Sequence, residues 1–375
     1  MQTDYPYIMK TQHGISLKLI LVFSLLFLLS SCDKDEDNMP VTPNGNGLCT
    51  ATLRLNVGTF GQNGRTGTRS VGGNKDENRI NNIWVFQYDA KTGASLHVPV
   101  YLDNFDSNDI DVTLTLNEDG AQSLVCIVAN VGEFVDDGEN ADTGDNTGAG
   151  GNVGTAKEKW ALDENGNIKV SFDTYEKLRQ QAIPEAVSQP FISSNMGDTG
   201  GKVIPMFGVS KAMAIVSKCY VSVPLVRMFA RVEVAVDPSY FHELGMEIEK
   251  ITFHNIPSYC RVETLASDED YPNTRPAAYP DAIRWGDFNA GNANEVILYI
   301  PENLQGIVEG MIGKQETDDA KIPAHALRVE LVMSYDDGNK THTYKVYPGF
   351  NMENDFNIMR NHIFNVSIKI TKLPE

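Results

Sequence analysis

The stretch Phe364-Asn365-Val366-Ser367-Ile368-Lys369-Ile370 alternates apolar and polar side chains without a break. In an extended chain successive side chains point to opposite faces. The pattern therefore puts Phe364, Val366, Ile368 and Ile370 on one side and Asn365, Ser367 and Lys369 on the other. That is a strand with one face in a core and one in water. The same period recurs upstream. Ala51, Leu53, Leu55 and Val57 alternate with Thr52, Arg54, Asn56 and Gly58, and Val232, Val234 and Val236 alternate with Arg231, Glu233 and Ala235. Val112 to Leu116 alternates as well, and Trp84, Phe86 and Tyr88 share one face of a strand over Ile83 to Tyr88. At that spacing the three rings read as a core face rather than a ligand platform.

Leu124-Val125-Cys126-Ile127-Val128-Ala129 is continuously apolar, which predicts a strand covered on both faces. Further strands are expected at Ile251 to Ile256, Val296 to Ile300, Leu327 to Tyr335 and Thr343 to Tyr347, with another marked by Ile168, Val170 and Phe172. Helix signals are scattered. The clearest is Asp173 as cap of a short helix to about Gln181, with Tyr175 and Leu178 facing inward and Pro184 as the stop. Many short strands with turn-rich spacers predict an all-β chain of the β-sandwich kind. At 375 residues there is room for two sandwiches. The expected domains are 49–222 and 223–375, with the break near residue 222.

The amino-terminal region reads differently. Lys10 and Lys18 supply positive charge ahead of and within an apolar run, Leu17 to Leu28, that is too short for a spanning helix of roughly 20 residues. Leu29-Ser30-Ser31-Cys32 follows, the pattern of a bacterial lipoprotein signal. Residues 1–31 are therefore expected to be a signal peptide, with a thioether-linked diacylglycerol and an acylated amino group on Cys32. Several acyl chains at about 0.8 kcal/mol per buried CH2 hold a protein stably on a membrane. Asp4 suits such a signal poorly, so Met9 is the better expected start. Asp33-Lys34-Asp35-Glu36-Asp37-Asn38 and the Pro- and Gly-bearing residues to 48 form an expected flexible tether.

The composition limits function further. A formal net charge of -19 argues against nucleic acid, which needs clustered Lys and Arg. The histidines (His13, His97, His242, His254, His325, His342, His362) are scattered without metal-ligand spacing. No Walker loop or GxSxG occurs, so no catalytic residue, metal or cofactor is expected and the protein is read as a non-enzyme. The acidic stretch Asp136 to Asn146 lacks the EF-hand order of ligands and falls in a Gly- and Asp-rich surface excursion over 132–158. Cys49, Cys126, Cys219 and Cys260 match no zinc motif. Cys126 is expected as a buried thiol, and whether Cys219 and Cys260 pair is left open. Trp160 and Trp285 lie in loop-like surroundings, as loop anchors or as rings that stack on a ligand. A long loop from Gly61 to Arg79 carries Arg65, Arg69 and Arg79.

Several stretches resemble the fimbrillin superfamily of Bacteroidales fimbrial lipoproteins. They are Thr68-Arg69-Ser70, Ile80 to Phe86, Leu225-Val226-Arg227-Met228-Phe229-Ala230-Arg231-Val232-Glu233-Val234, Leu298 to Gly306, Tyr347-Pro348-Gly349-Phe350, and Met359-Arg360-Asn361-His362-Ile363-Phe364-Asn365-Val366. Lys34-Asp35-Glu36 resembles the surface-export signal of lipoproteins in that phylum. The resemblance implies two tandem transthyretin-like sandwiches of the Ig-like topology class, on the outer membrane surface and in a fimbrium. It implies that an arginine-specific protease cuts after Arg69, Arg65 or Arg79, with Arg69 the best match. The first strand, with Leu53, Leu55 and Val57 inward, then leaves, and a strand from another subunit takes its place. Only Thr371 to Glu375 follows the last strand, so no donor segment is expected there. The expected role is an accessory subunit, structural or adhesive, at the tip or as a minor component, with other fimbrial subunits and surface glycans or proteins as partners. The alternatives are a lipid-retained anchor at the fimbria base and a glycan-binding outer-membrane lipoprotein of a polysaccharide-uptake system.

Overall fold

The computed structural model describes residues 47–62, 77–103, 108–117, 120–132, 172–183, 189–193, 199, 201–258, 260–264, 285–315 and 319–373. In chain order the strands are β1 Leu48–Val57, β2 Gly61–Gln62, β3 Asn82–Asp89, β4 Val100–Asp103, β5 Asp109–Thr115, β6 Ser123–Ala129, β7 Phe191–Ser193 and β8 Met206–Val209. The second half adds β9 Tyr220–Arg227, β10 Phe229–Val236, β11 Glu247–Pro257, β12 Trp285–Gly291, β13 Glu295–Pro301, β14 Arg328–Tyr335, β15 Lys340–Val346 and β16 His362–Ile368. They form a seven-stranded sheet β4-β3-β6-β8-β9-β1-β5, a five-stranded sheet β2-β16-β10-β13-β7 and a four-stranded sheet β12-β11-β14-β15. The protein is all-β, as the alternation predicts.

Three cores separate these layers. The five- and four-stranded sheets enclose Val232, Val234, Phe253, Leu298, Leu331, Phe364 and their neighbours. The faces of β3 and β6 bearing Trp84, Phe86, Tyr88, Cys126 and Val128 pack with Phe229, Tyr299 and Ile363 of the five-stranded sheet. The opposite faces of β3 and β6, with Ile83, Val85, Val125 and Ile127, share a third core with Leu53, Leu55, Val112 and Val223. Both faces of β6 are thus covered, which is why its sequence shows no alternation.

That third core exists because the seven-stranded sheet folds over on itself. Gln87 on β3 donates to Thr115 O at 2.8 Å and accepts from Thr115 N at 2.7 Å, although β3 and β5 lie far apart in strand order. Gly208 of β8 pairs with Leu225 of β9 at a close approach between the two strands. A Cβ there would sit 2.2 Å from Pro224 O and 2.9 Å from Leu225 Cδ2, so only glycine allows the approach.

Some expectations are adjusted. Thr174, not Asp173, caps the short helix Tyr175–Arg179, its side chain accepting from Lys177 N, and Leu178 is buried. Trp285 opens a strand, with its ring stacked on His325 at 4.5 Å and packed at the margin of the large core. Residue 222 lies within β9, and the chain passes from the seven- to the five-stranded sheet at Met228. β2 and β7 cross the other way, from the first half into the five-stranded sheet. Cys49, Cys126, Cys219 and Cys260 are buried and no disulfide joins them. Cys32, Pro184, Trp160, the acidic stretch at 136–146 and the strand residues Ile168 and Val170 lie outside the described residues.

Two outcomes follow from this packing. Gly208→Ala should lower the unfolding free energy by about 1–3 kcal/mol, read by urea denaturation, because the added methyl overpacks the contact with Pro224 and Leu225. The second concerns Lys314, buried beside the small cluster of Met311, Tyr347 and Phe356. Its Nζ donates to Asp355 O and lies 5.0 Å from the Phe356 ring centre. Burial pushes its pKa down to about 8, against a weaker opposing pull from Asp355. The folded chain then releases this proton near pH 8, while the unfolded chain holds it to the ordinary lysine value. Stability from this group should rise with pH across that window. Urea denaturation of wild type against Lys314→Met should show wild type gaining relative to the variant between about pH 8 and about pH 10.

Candidate functional site

β1 is not an edge strand. It pairs antiparallel with β5 from Leu48↔Thr115 to Arg54↔Asp109, and parallel with β9 from Thr52↔Tyr220 to Val57↔Leu225. Its amino-terminal half leans on β5 and its carboxy-terminal half on β9. Ala51, Leu53 and Leu55 are at most 1% exposed, whereas Val57 is half-buried at the margin of the same core. On the outer face Arg54 makes a bidentate pair with Asp109, at 3.0 Å on each arm, and Thr52 Oγ1 donates to Asp111 at 2.7 Å. The Arg54–Asp109 side chains are 53% and 43% exposed, so water screens the pair and it adds little stability.

Beyond β1 the chain enters a buried charge cluster. Arg227 ends β9 and Arg231 lies on β10, and neither is more than 1% exposed. Arg227 Nε donates to Glu77 O at 3.0 Å, and Nη1 donates to Gly58 O and Asn361 Oδ1, each at 2.8 Å. Its Nη2 donates to Asn78 Oδ1. Arg231 Nη1 pairs with Glu77 Oε1 at 2.7 Å, and Tyr299 donates its hydroxyl to the same oxygen at 2.5 Å. Phe60 covers both guanidinium groups, with its ring centre 4.2 Å from Arg227 Cζ and 5.3 Å from Arg231 Cζ. Asn361, in the left-handed region at φ 56°, accepts from Arg227 and donates to Thr59 O at 3.1 Å. Asparagine is among the few side-chain-bearing residues that tolerate that conformation.

The electrostatics follow from burial. Desolvation pulls the Arg227 pKa down to about 10, against the opposing pull of Glu77. For Arg231 burial again pulls down, but Glu77 and Glu233 outweigh it and the net shift is upward. Burial and the hydrogen bond to Glu77 push the Tyr299 hydroxyl up. Both arginines stay cationic at neutral pH, so the cluster is a fixed-charge clamp rather than a proton relay. Among the described residues no group of three or more His, Cys, Asp and Glu is placed to hold a metal ion.

The clamp grips the chain on both sides of residues 63–76, which lie outside the described residues. Gly58, Thr59 and Phe60 lie before residues 63–76, and Glu77 and Asn78 lie after them. Arg65 and Arg69 fall within 63–76, outside the described residues. Arg79 is described and held, Nη2 donating to Gly201 O at 2.5 Å and its carbonyl accepting from Asn130 at 2.9 Å. A second buried pair, Arg360–Glu302 at 3.2 Å, stands nearby in sequence to Asn361, and Arg360 also donates to Val262 O and Arg261 O.

Sequence reading located β1 and the arginine loop, but not Glu77, Phe60 or Tyr299 as a site. One signal was available: Arg227 and Arg231 interrupt the apolar run from Leu225 to Val236. Arginines there need buried partners.

The fold and site define an all-β protein whose internal first strand is followed by a buried charge clamp on Gly58 to Phe60 and on Glu77 and Asn78. A domain family of unknown function, DUF4906, matches residues 298–368, which include Tyr299, Glu302, Arg360 and Asn361. A search of curated proteins found no match. Among solved structures the chain is similar to the tip fimbrial protein Mfa3 of Porphyromonas gingivalis, at 14% identity and TM-score 0.45, over 88% of this chain and 96% of that one. It is similar to a fimbrial assembly protein of Parabacteroides distasonis, at 14% identity and TM-score 0.43, over 85% and 90%. It is also similar to the fimbrial anchor protein Mfa2 of Porphyromonas gingivalis, at 13% identity and TM-score 0.31, over 80% and 82%.

Removing the shared counter-charge tests the clamp. Glu77→Ala removes the buried carboxylate nearest both guanidinium groups, leaving Arg231 only Glu233 at 2.8 Å and Arg227 only uncharged acceptors, and should cost about 3–5 kcal/mol of unfolding free energy. Tyr299→Phe removes only the hydroxyl and should cost about 1–3 kcal/mol by the same urea measurement.

Proposed function

We propose that this protein is a surface fimbrial subunit of structural or adhesive role, joined to other subunits by exchange of β1 after proteolysis of the following loop. The observation that carries the proposal is the clamp. Both flanks of residues 63–76 are held by Arg227, so one cut in that loop severs the covalent link to β1 without removing any described contact. The described Arg79 is hydrogen-bonded on both sides of its residue, which favours Arg65 or Arg69 as the cut. Support also comes from the resembling stretches, three of which meet at the site: Arg227 and Arg231 from one, Tyr299 from a second, Asn361 from a third.

Burying each large apolar side chain is worth roughly 1.5–3 kcal/mol, and β1 buries Leu53 and Leu55 fully. Together with two ladders, this keeps a severed β1 in place until a competing strand fills the groove. The proposed location is the outer membrane surface, held by lipid on Cys32, with other fimbrial subunits as partners.

Arginine-specific protease is expected to cut after Arg65 or Arg69, as read by mass spectrometry of the new amino terminus. The amino-terminal fragment should co-elute with the rest on size exclusion and dissociate only when another subunit's strand is added. Fragment loss on cutting alone, or a fragment that no added strand displaces, would overturn the proposal.

A further inference from the structure

The clamp specifies more about the incoming strand than apolar alternation does. If β1 is exchanged, as proposed above, the residues leaving with it include Gly58, Thr59 and Phe60. Glu77, Asn78 and Asn361 stay. Arg227 then loses the Gly58 carbonyl and, with Arg231, the Phe60 ring. Two cations that were at most 1% exposed are left under an open groove.

We infer that the strand replacing β1 must carry an aromatic side chain at the Phe60 position, stacked over the paired guanidinium groups of Arg227 and Arg231. The rest of its chemistry can be read from β1 itself. A small residue is needed where Ala51 sits and large apolar ones where Leu53 and Leu55 sit, all three at most 1% exposed. The strand must run parallel to β9 and antiparallel to β5. Its outer face meets Asp109 and Asp111, so a basic or hydroxyl-bearing residue suits those positions. Beyond the aromatic, backbone groups must pair with β16 as Gly61 and Gln62 do.

Apolar alternation alone would admit any greasy strand. The aromatic is different in kind. An aliphatic side chain in that place excludes water from two cations without offering them anything, whereas a ring face attracts both. A leucine of similar bulk therefore does not substitute. The partner is an extended polypeptide segment with the order small, large apolar, large apolar, aromatic, in the spacing Ala51, Leu53, Leu55, Phe60.

The test uses the full chain cut by arginine-specific protease and fluorescent peptides copying residues 49–62. The wild-type peptide and its Phe60→Tyr form should enter the cut protein, read by anisotropy and co-elution. Phe60→Leu and Phe60→Ala peptides should bind roughly 10- to 30-fold more weakly. Equal binding by the Phe60→Leu peptide overturns the aromatic requirement and leaves strand exchange standing. Failure of the wild-type peptide to enter counts against strand exchange itself, and the requirement falls with it. A second measurement does not depend on exchange: in the uncut chain, Phe60→Leu should shift the folding equilibrium by a similar 10- to 30-fold, and an unchanged equilibrium also overturns the inference.

Discussion

Two guanidinium groups sit where water does not reach, and the rest of the molecule is arranged around that fact. An isolated buried cation is too costly to keep, so Arg227 and Arg231 must be met by a carboxylate and by hydrogen-bond acceptors. Glu77 meets both, through its carbonyl and its side chain. The chain after β1 therefore has to return to one place before starting β3. Acceptors come from Gly58, Asn78 and Asn361, which belong to three separate segments. The ion pairs are not the main source of stability, because desolvation offsets most of the attraction. They set which segments meet, and they join the seven-stranded sheet to the five-stranded one.

The position of β1 follows from the folding-over of its sheet. Packing β1, β5 and β9 against β3 and β6 makes a closed core from a single sheet, and the close β8–β9 approach within it needs Gly208. Within that arrangement β1 lies between two partners. Its removal would break both ladders and leave β5 with no neighbour in the sheet. In the exchange proposed above, cutting the chain between Gln62 and Glu77 and vacating the groove would be physically separate events, and the second would need a replacement that satisfies two strands at once. The exposed Arg54–Asp109 pair lies on the outer face, while the buried row of Ala51, Leu53 and Leu55 supplies most of the apolar burial.

Period-two alternation was enough to locate β1, β5, β10 and β16, because each has one wet and one buried face and the side chains report it directly. The unbroken apolar run of β6 announced a strand buried on both sides, and the three rings of β3 announced a core face. Strands of two to four residues, such as β2, β4 and β7, left no such trace: too few side chains define a face. They exist because neighbouring strands offer free backbone groups. β2 and β7 also cross from the first half into the second sheet, which no local pattern encodes. The clamp was visible only as two arginines in an apolar stretch. What they paired with, and that Phe60, Glu77 and Tyr299 would converge on them, was decided by tertiary structure. A buried charge demands a partner without saying where in the chain that partner lies.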